Sequence, residues 1–155
     1  VILDSAPSVE LVRELFEEYS RQIGVDLCVQ NFAAELAGLP HNYDLILVAR
    51  QGDSVAGCAA LRPFPYDAAA GRVAELKRLY VRSQFRGLGL GRLLTEAMIQ
   101  EAASRGYRSL RLDTLCTMTA AISMYRAMGF QEFEPDRPRE FPGQLFFQLT
   151  ELQRK

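Results

Sequence analysis

The stretch Leu76-Lys77-Arg78-Leu79-Tyr80-Val81-Arg82-Ser83-Gln84-Phe85-Arg86-Gly87-Leu88-Gly89-Leu90-Gly91-Arg92-Leu93-Leu94 constrains the fold more than any other part of the chain. Alternation from Arg72 to Arg82 predicts a long strand, with Val73, Glu75, Lys77, Leu79 and Val81 on one face and Leu76, Arg78 and Tyr80 on the other. Leu90, Leu93, Leu94, Ala97 and Met98 then recur at helical spacing as far as Ser104, and Gly106 stops the helix. Between strand and helix, Gly87, Gly89 and Gly91 stand at every second position. Without Cβ atoms the backbone can bend tightly there. Its free N–H groups, with the positive end of the following helix, suit an anionic phosphate.

Two common phosphate motifs do not fit this turn. A dinucleotide fingerprint starting at Gly87 or Gly89 needs glycine where Arg92 or Leu94 stands, and a P-loop needs a Gly-Lys-Ser/Thr ending that is absent. What remains is Gln84-x-x-Gly87-x-Gly89 overlapping Arg86-x-x-Gly89-x-Gly91.

The rest of the chain supplies partners for this unit. Val12, Leu15, Phe16, Tyr19 and Ile23 mark an amphipathic helix over residues 8 to 22, opened by Pro7 and ended by Gly24. Phe32, Leu36 and Leu39 mark a shorter helix before Pro40. Leu45 to Val48 and Val55 to Leu61 flank Gln51-Gly52-Asp53-Ser54, the pattern of an antiparallel hairpin, and a loop containing Ala68 to Gly71 follows. Beyond Gly106 the expected order is a strand (Tyr107 to Thr114), a helix (Thr119 to Met128), a strand (Phe130 to Phe133), a proline-rich loop and a last strand (Gln144 to Leu152). A hairpin followed by alternating strands and helices predicts one α/β domain over residues 1–155, a mixed sheet with helices on both faces.

Composition narrows the function classes. At 155 residues, 48% hydrophobic and 24% charged, the chain can bury its own core, and its formal charge of −1 gives no general attraction to nucleic acid or a membrane surface. Arginine outnumbers lysine 16 to 2. Cys28, Cys58 and Cys116 are odd in number, widely spaced and set in apolar segments, so buried thiols in a reducing compartment are expected rather than disulfides. Val1 to Pro7 lacks the basic and apolar regions of a signal peptide, and no apolar run approaches the ~20 residues of a membrane span. A cytoplasmic location is the expectation. His41 is the sole histidine, which leaves metal clusters and Ser-His-Asp arrangements without support.

Both glycine registers resemble the Gln/Arg-x-x-Gly-x-Gly/Ala pyrophosphate motif of the GNAT superfamily of acetyl-CoA-dependent N-acetyltransferases. The resemblance extends through Glu75-Leu76-Lys77-Arg78-Leu79-Tyr80-Val81 before the turn and Ala121-Ile122-Ser123-Met124-Tyr125-Arg126-Ala127-Met128-Gly129-Phe130 after it, and in outline it covers the whole chain. It implies a three-layer α/β/α fold whose mixed, mostly antiparallel sheet has two splayed central parallel strands. It also implies acetyl-CoA as cosubstrate, an amine acceptor, no metal, and a homodimer as a family-level expectation.

Carried onto this sequence, the resemblance places the pantetheine arm along the backbone of Leu79, Tyr80 and Val81. The pyrophosphate falls on the amides of Arg86, Gly87, Leu88, Gly89, Leu90 and Gly91. Val81 N–H would hold the oxyanion and Tyr125 would donate a proton to the departing thiolate, although a tyrosine near pKa ~10 is a weaker acid than a thiol near ~8.5. Glu75 stands where some members carry a catalytic base. Pairing with Lys77 or an arginine is an equal reading of Glu75, and a water chain or capture of neutral amine would serve in its place. The chain departs from many members in having Met118 where they have asparagine.

Other residues are open to more than one reading. Asp113 could orient an amine or cap the turn after its strand. Cys116 has no histidine near it in sequence and reads as a packed or partly exposed thiol without a nucleophile's role. Tyr19 to Leu39 and Pro135 to Gly143 would wall the acceptor cleft, where Arg137 and Arg139 suggest an acceptor carboxylate or are solvated loop charges. A non-catalytic acyl-CoA-binding module is the alternative function.

Overall fold

The hairpin signalled around Gly52 forms in the computed structural model, which describes residues 1–66 and 72–153. Strands β2 (Leu45–Gln51) and β3 (Ser54–Pro63) pair antiparallel, with Gly52 taking a positive φ of 61° at the turn. The expected loop over Ala68 to Gly71 lies outside the described residues, as does the side chain of Cys28. With β1 (Ile2–Asp4), β4 (Val73–Val81), β5 (Ser109–Leu115), β6 (Gln131–Phe133) and β7 (Gln144–Leu149), the sheet has seven strands in the order β1-β2-β3-β4-β5-β7-β6. Every pairing is antiparallel except β4 with β5.

Helices cover both faces, as binary patterning demands. Helix α1 (Val9–Gln22) starts where Ser8 Oγ accepts from the Leu11 amide at 3.2 Å, and it buries Val12, Leu15 and Phe16. Those side chains meet Tyr43, Ile46, Val48, Cys58 and Tyr80 on one face of the sheet, with the short helix α2 (Phe32–Ala37) beside them. On the other face, α3 (Leu90–Ser104) buries Leu90, Leu94, Thr95, Met98 and Ala102, a stripe at helical spacing. Helix α4 (Thr119–Ala127) joins that layer through Tyr125, which packs on Phe130 and Phe147. Burial of both cores supplies most of what holds the layers together.

One irregularity sets the shape of the sheet. Cys58 pairs with Tyr80 but Ala60 pairs with Lys77, so Arg78 and Leu79 on β4 together face Ala59 on β3, a β-bulge. Arg78 sits there at φ 57°, a left-handed conformation that costs a side-chain-bearing residue roughly 1–2 kcal/mol. The extra residue corrects the strict alternation expected for this strand. Leu79 and Val81 fall with Leu76 on the α3 side, while Lys77, Arg78 and Tyr80 share the α1 side.

Beyond the bulge the two central strands part. Strand β4 pairs with β5 only at Val73↔Ser109, Ala74↔Leu110 and Glu75↔Arg111, while β5 continues along β7 as far as Leu115↔Gln144. A cleft opens between the C-terminal halves of β4 and β5. Among the described residues, no helix is long and apolar enough to cross a membrane.

Candidate active site

The cleft inherits a row of backbone groups from β4. Arg82 N–H donates to Ala56 C=O at 2.8 Å, and in an antiparallel ladder neighbouring residues point to opposite sides, so the N–H and C=O of Val81 face away from β3 into the opening. The Val81 carbonyl accepts from Arg86 Nε at 3.0 Å on that side. Tyr80, by the same alternation, spends its amide on β3, and its hydroxyl donates to Glu18 at 3.1 Å.

Past Val81 the chain makes a single tight turn at Ser83–Phe85 and enters the glycine segment. Gly87 (φ 83°) and Gly89 (φ 79°) adopt conformations that L side chains rarely take, and a Cβ at either would meet no atom within 4 Å. The glycines therefore serve the path of the backbone and leave open space above it. Gly89 is also the N-cap of α3, which has no side-chain cap and no acidic residue in its first turn. The first amides of a 15-residue helix are thus left for a ligand, with the positive end of the helix dipole behind them. Arg86 plays another part: its amide donates to Ser83 C=O, and its guanidinium braces Val81 O and Gln22 Oε1.

A groove of about 710 Å³ runs from Leu79, Tyr80 and Val81 across Gly87, Gly89, Leu90 and Gly91, with Met118 to Ala121 and Met124 as its far wall. Met118, where an asparagine was expected from the resemblance, lies between this groove and a smaller inner space of about 40 Å³. The inner space is lined by Tyr19, Leu79, Asp113 and Tyr125. Tyr125 is 5% exposed, and burial pushes its hydroxyl above the ordinary tyrosine range, with Tyr19 and Asp113 adding to the rise.

On the α1 side lies a polar lobe of about 170 Å³ that shares Gln30, Lys77, Arg78 and Asp113 with the inner space. Glu75 opens on this lobe and not on the space beside Tyr125. Arg62 Nε donates to its Oε1 at 2.8 Å, and Nη2 lies at the same distance in an ion pair, so the arginine pairing read from sequence is made. Asp113 does not cap a turn. It lies within β5 and accepts from Gln144 Nε2 at 2.9 Å, with Lys77 Nζ 3.8 Å away. Burial would raise the Asp113 carboxyl, but Lys77, the Gln144 amide and Arg78 outweigh it and hold the group below the usual carboxylate range.

Two loop arginines part company. Arg137 lines the polar lobe, whereas Arg139 turns outward to Glu134 and to Gln144 O. Of the two readings open for Cys116, a packed or a partly exposed thiol, the structure shows an exposed one, because β5 ends at Leu115 and the chain turns out of the core. Gln30, Glu35 and Glu140 fall in the two segments expected to wall the acceptor cleft but were not singled out there, and Arg62 was not expected at all; they come from separate elements and carry no spacing signal. Among the described residues no cluster of His, Cys, Asp and Glu could hold a metal ion.

Comparison with known proteins fits this geometry. The sequence model of the acetyltransferase (GNAT) family matches residues 9–130, and the chain belongs to that family. It is 39% identical over 142 residues to an uncharacterised N-acetyltransferase of Schizosaccharomyces pombe, covering 87% of this chain and 83% of that one. It is 33% identical over 139 residues to the IAA acetyltransferase of Azospirillum brasilense, covering 88% of each. In fold it is similar to the putative acetyltransferase yncA from Salmonella typhimurium, solved with its cofactor acetyl-CoA, with a TM-score of 0.71 at 20% identity over 96% of this chain and 92% of that one.

Proposed function

We propose that the protein transfers the acetyl group of acetyl-CoA directly to a primary amine of a small acceptor. The observation that carries this reading is a pair of backbone donor sets along one groove, Val81 N–H facing the cleft and the uncapped first turn of α3 beyond the glycine segment. The amides of Gly87, Leu88, Gly89, Leu90 and Gly91 suit the pyrophosphate, and the open space above Gly87 and Gly89 fits a bulky anionic group. The backbone of Leu79 and Val81 suits an extended amide-bearing arm, added to β4 in the manner of a further strand.

The cosubstrate supplies an acetyl thioester. In the transfer a C–N bond forms to the acceptor, the C–S bond breaks, and the proton lost by nitrogen must reach sulfur. Val81 N–H is aimed into the cleft, where charge develops on the carbonyl oxygen, and it requires no reorganisation. Tyr125 Oη is the donor at the sulfur. Its raised pKa makes it a hydrogen bond that stabilises the thiolate rather than a full acid, with water completing the proton's path. Glu75, charge-compensated by Arg62, holds the polar lobe in place, and the acceptor nitrogen reacts in its neutral form.

Release of thiol from acetyl-CoA, followed against a panel of primary amines, tests the reading. Amine-dependent turnover supports it. Saturable acetyl-CoA binding without turnover of any amine would point instead to an acyl-CoA-binding module.

A further inference from the structure

The polar lobe holds as many acidic as basic side chains, but they are not equally satisfied. Glu75 is gripped by Arg62, and Glu35 accepts from Arg78 Nε at 2.9 Å and from Tyr43 Oη at 2.7 Å. Asp113 and Glu140 each accept a side-chain amide at 2.9 Å, from Gln144 and Gln30 respectively. Every carboxylate thus has at least one close donor. Arg62 and Arg78 are matched in the same bonds.

Among the described residues, Lys77 and Arg137 are the two cations of the lobe left without a close carboxylate. The Lys77 ammonium, on a side chain only 7% exposed, reaches Gln30 Oε1 at 3.5 Å and Asp113 Oδ1 at 3.8 Å, both too long for a strong bond to a group with three donors. Arg137 stacks on Tyr66 with its guanidinium carbon 4.1 Å from the ring centroid and approaches Glu140 no closer than 3.8 Å. Its Nε is buried with no hydrogen-bond partner among the described residues. Buried donors left in this state are costly unless a ligand completes them.

We infer that the lobe is a subsite for a carboxylate on the acceptor, held by Lys77 and Arg137, so that the acceptor class is a small amino-carboxylate, a free amino acid being the simplest. This rests on the acetyl-transfer reading above. Lys77 and Asp113 line both the lobe and the inner space beside Tyr125. The carboxylate end therefore lies on the cations of the lobe while the amine end enters beside Tyr125, where the anionic Asp113 favours an approaching ammonium before it gives up its proton. A lobe of about 170 Å³ admits a small molecule and leaves no room for a folded partner.

The test follows thiol release from acetyl-CoA with the common free amino acids, with their carboxamides, and with cadaverine and spermidine as amines without a carboxylate. Calorimetry with acetyl-CoA alone runs beside it. At least one amino acid is expected to be consumed with kcat/KM about tenfold or more above its carboxamide, because the amide leaves buried cations unpaired. Lys77→Gln and Arg137→Gln should each collapse that ratio, mainly through KM, whereas Arg139→Gln, outside the lobe, should keep it. Carboxamides or polyamines used as well as the acids, a ratio that survives in both variants, or acetyl-CoA binding with no amino acid consumed would each overturn the inference alone. Absence of acetyl-CoA binding would overturn the transfer reading with it.

Discussion

Arg78, at φ 57° in the β4 bulge, places its guanidinium on the carboxylate of Glu35 in α2, donating through both Nε and Nη2. The pair ties the bend in the strand to the helix whose Glu35 lines the polar lobe, and the Tyr43 hydroxyl donates to the same carboxylate at 2.7 Å. Both side chains are buried, at 3% and 9% exposure. Glu35→Ala would leave a buried guanidinium without its partner, and such broken pairs cost about 3–5 kcal/mol. Chemical denaturation should show that loss, and a smaller one for the double variant Glu35→Ala with Arg78→Gly, where the charge goes and glycine accepts the positive φ.

The same pair predicts an acid limb in stability. Burial would raise the Glu35 carboxyl, but Arg78 and Tyr43 outweigh it and the net shift is downward. A depressed carboxyl contributes stability above its unfolded pKa of ~4.3, and the contribution drains away as pH falls through the lower folded value. Denaturation midpoints measured from neutral pH downward should therefore drop below about pH 4.3, and Glu35→Gln should flatten that part of the curve.

Cys58 donates its thiol to Arg78 C=O at 3.5 Å, satisfying the carbonyl that the bulge takes out of the ladder. Burial, reinforced by Glu18, pushes its pKa up to about 12, so it stays protonated. In a thiol-reagent assay on Cys28→Ser protein, the exposed Cys116 should react rapidly and Cys58 only on unfolding. Prompt labelling of Cys58 would contradict the bulge as described.

Gly57 has no room for a side chain, since a Cβ there would lie 2.2 Å from Tyr80 O and 3.1 Å from Val81 Cα. Gly57→Ala must push β3 and β4 apart at the row of amides that serves the cleft. It should cost about 1–3 kcal/mol or more of stability and weaken acetyl-CoA binding together with it, seen in a lowered Tm and a raised Kd.

Tyr125→Phe should lower kcat by about ten- to a hundredfold with little change in acetyl-CoA affinity, because the lost hydrogen bond acts on the departing sulfur. The hydroxyl is held above its ordinary range by burial. Rate profiles should accordingly rise with pH as the acceptor amine loses its proton, without a falling limb from Tyr125 in the accessible range.

Sequence periodicity located the helices and strands because their apolar stripes repeat at local spacing; α3 begins at Leu90 and ends at Ser104 as its pattern requires. The glycine turn was legible for the same reason. The bulge was not read, because strict alternation was carried through Lys77-Arg78; its local trace is the one-residue phase shift from Ala74 and Leu76 to Leu79 and Val81, while the Glu35 carboxylate that pairs with Arg78 lies far away along the chain. Neither was the polar lobe, whose residues come from the segment before α2, from α2, β3 and the segment after it, β4 and β5, and from the loop before β7. Asp113 read as a turn cap because its strand was expected to end a residue early. Arg137 and Arg139 looked equivalent until the fold turned one inward and the other to Glu134.

Titration of the purified protein with acetyl-CoA by calorimetry, beside a Gly91→Glu variant, tests the central claim most directly. A side chain at Gly91 meets only ordinary contacts, Met124 Sδ at 3.8 Å and Val81 Cγ2 at 3.9 Å, so the variant should fold with an unchanged Tm while it places a carboxylate where the pyrophosphate is to lie. The account predicts saturable binding by the parent protein and a loss of about tenfold or more in the variant, through repulsion of like charges. No binding by the parent protein, or equal binding by both, would contradict it.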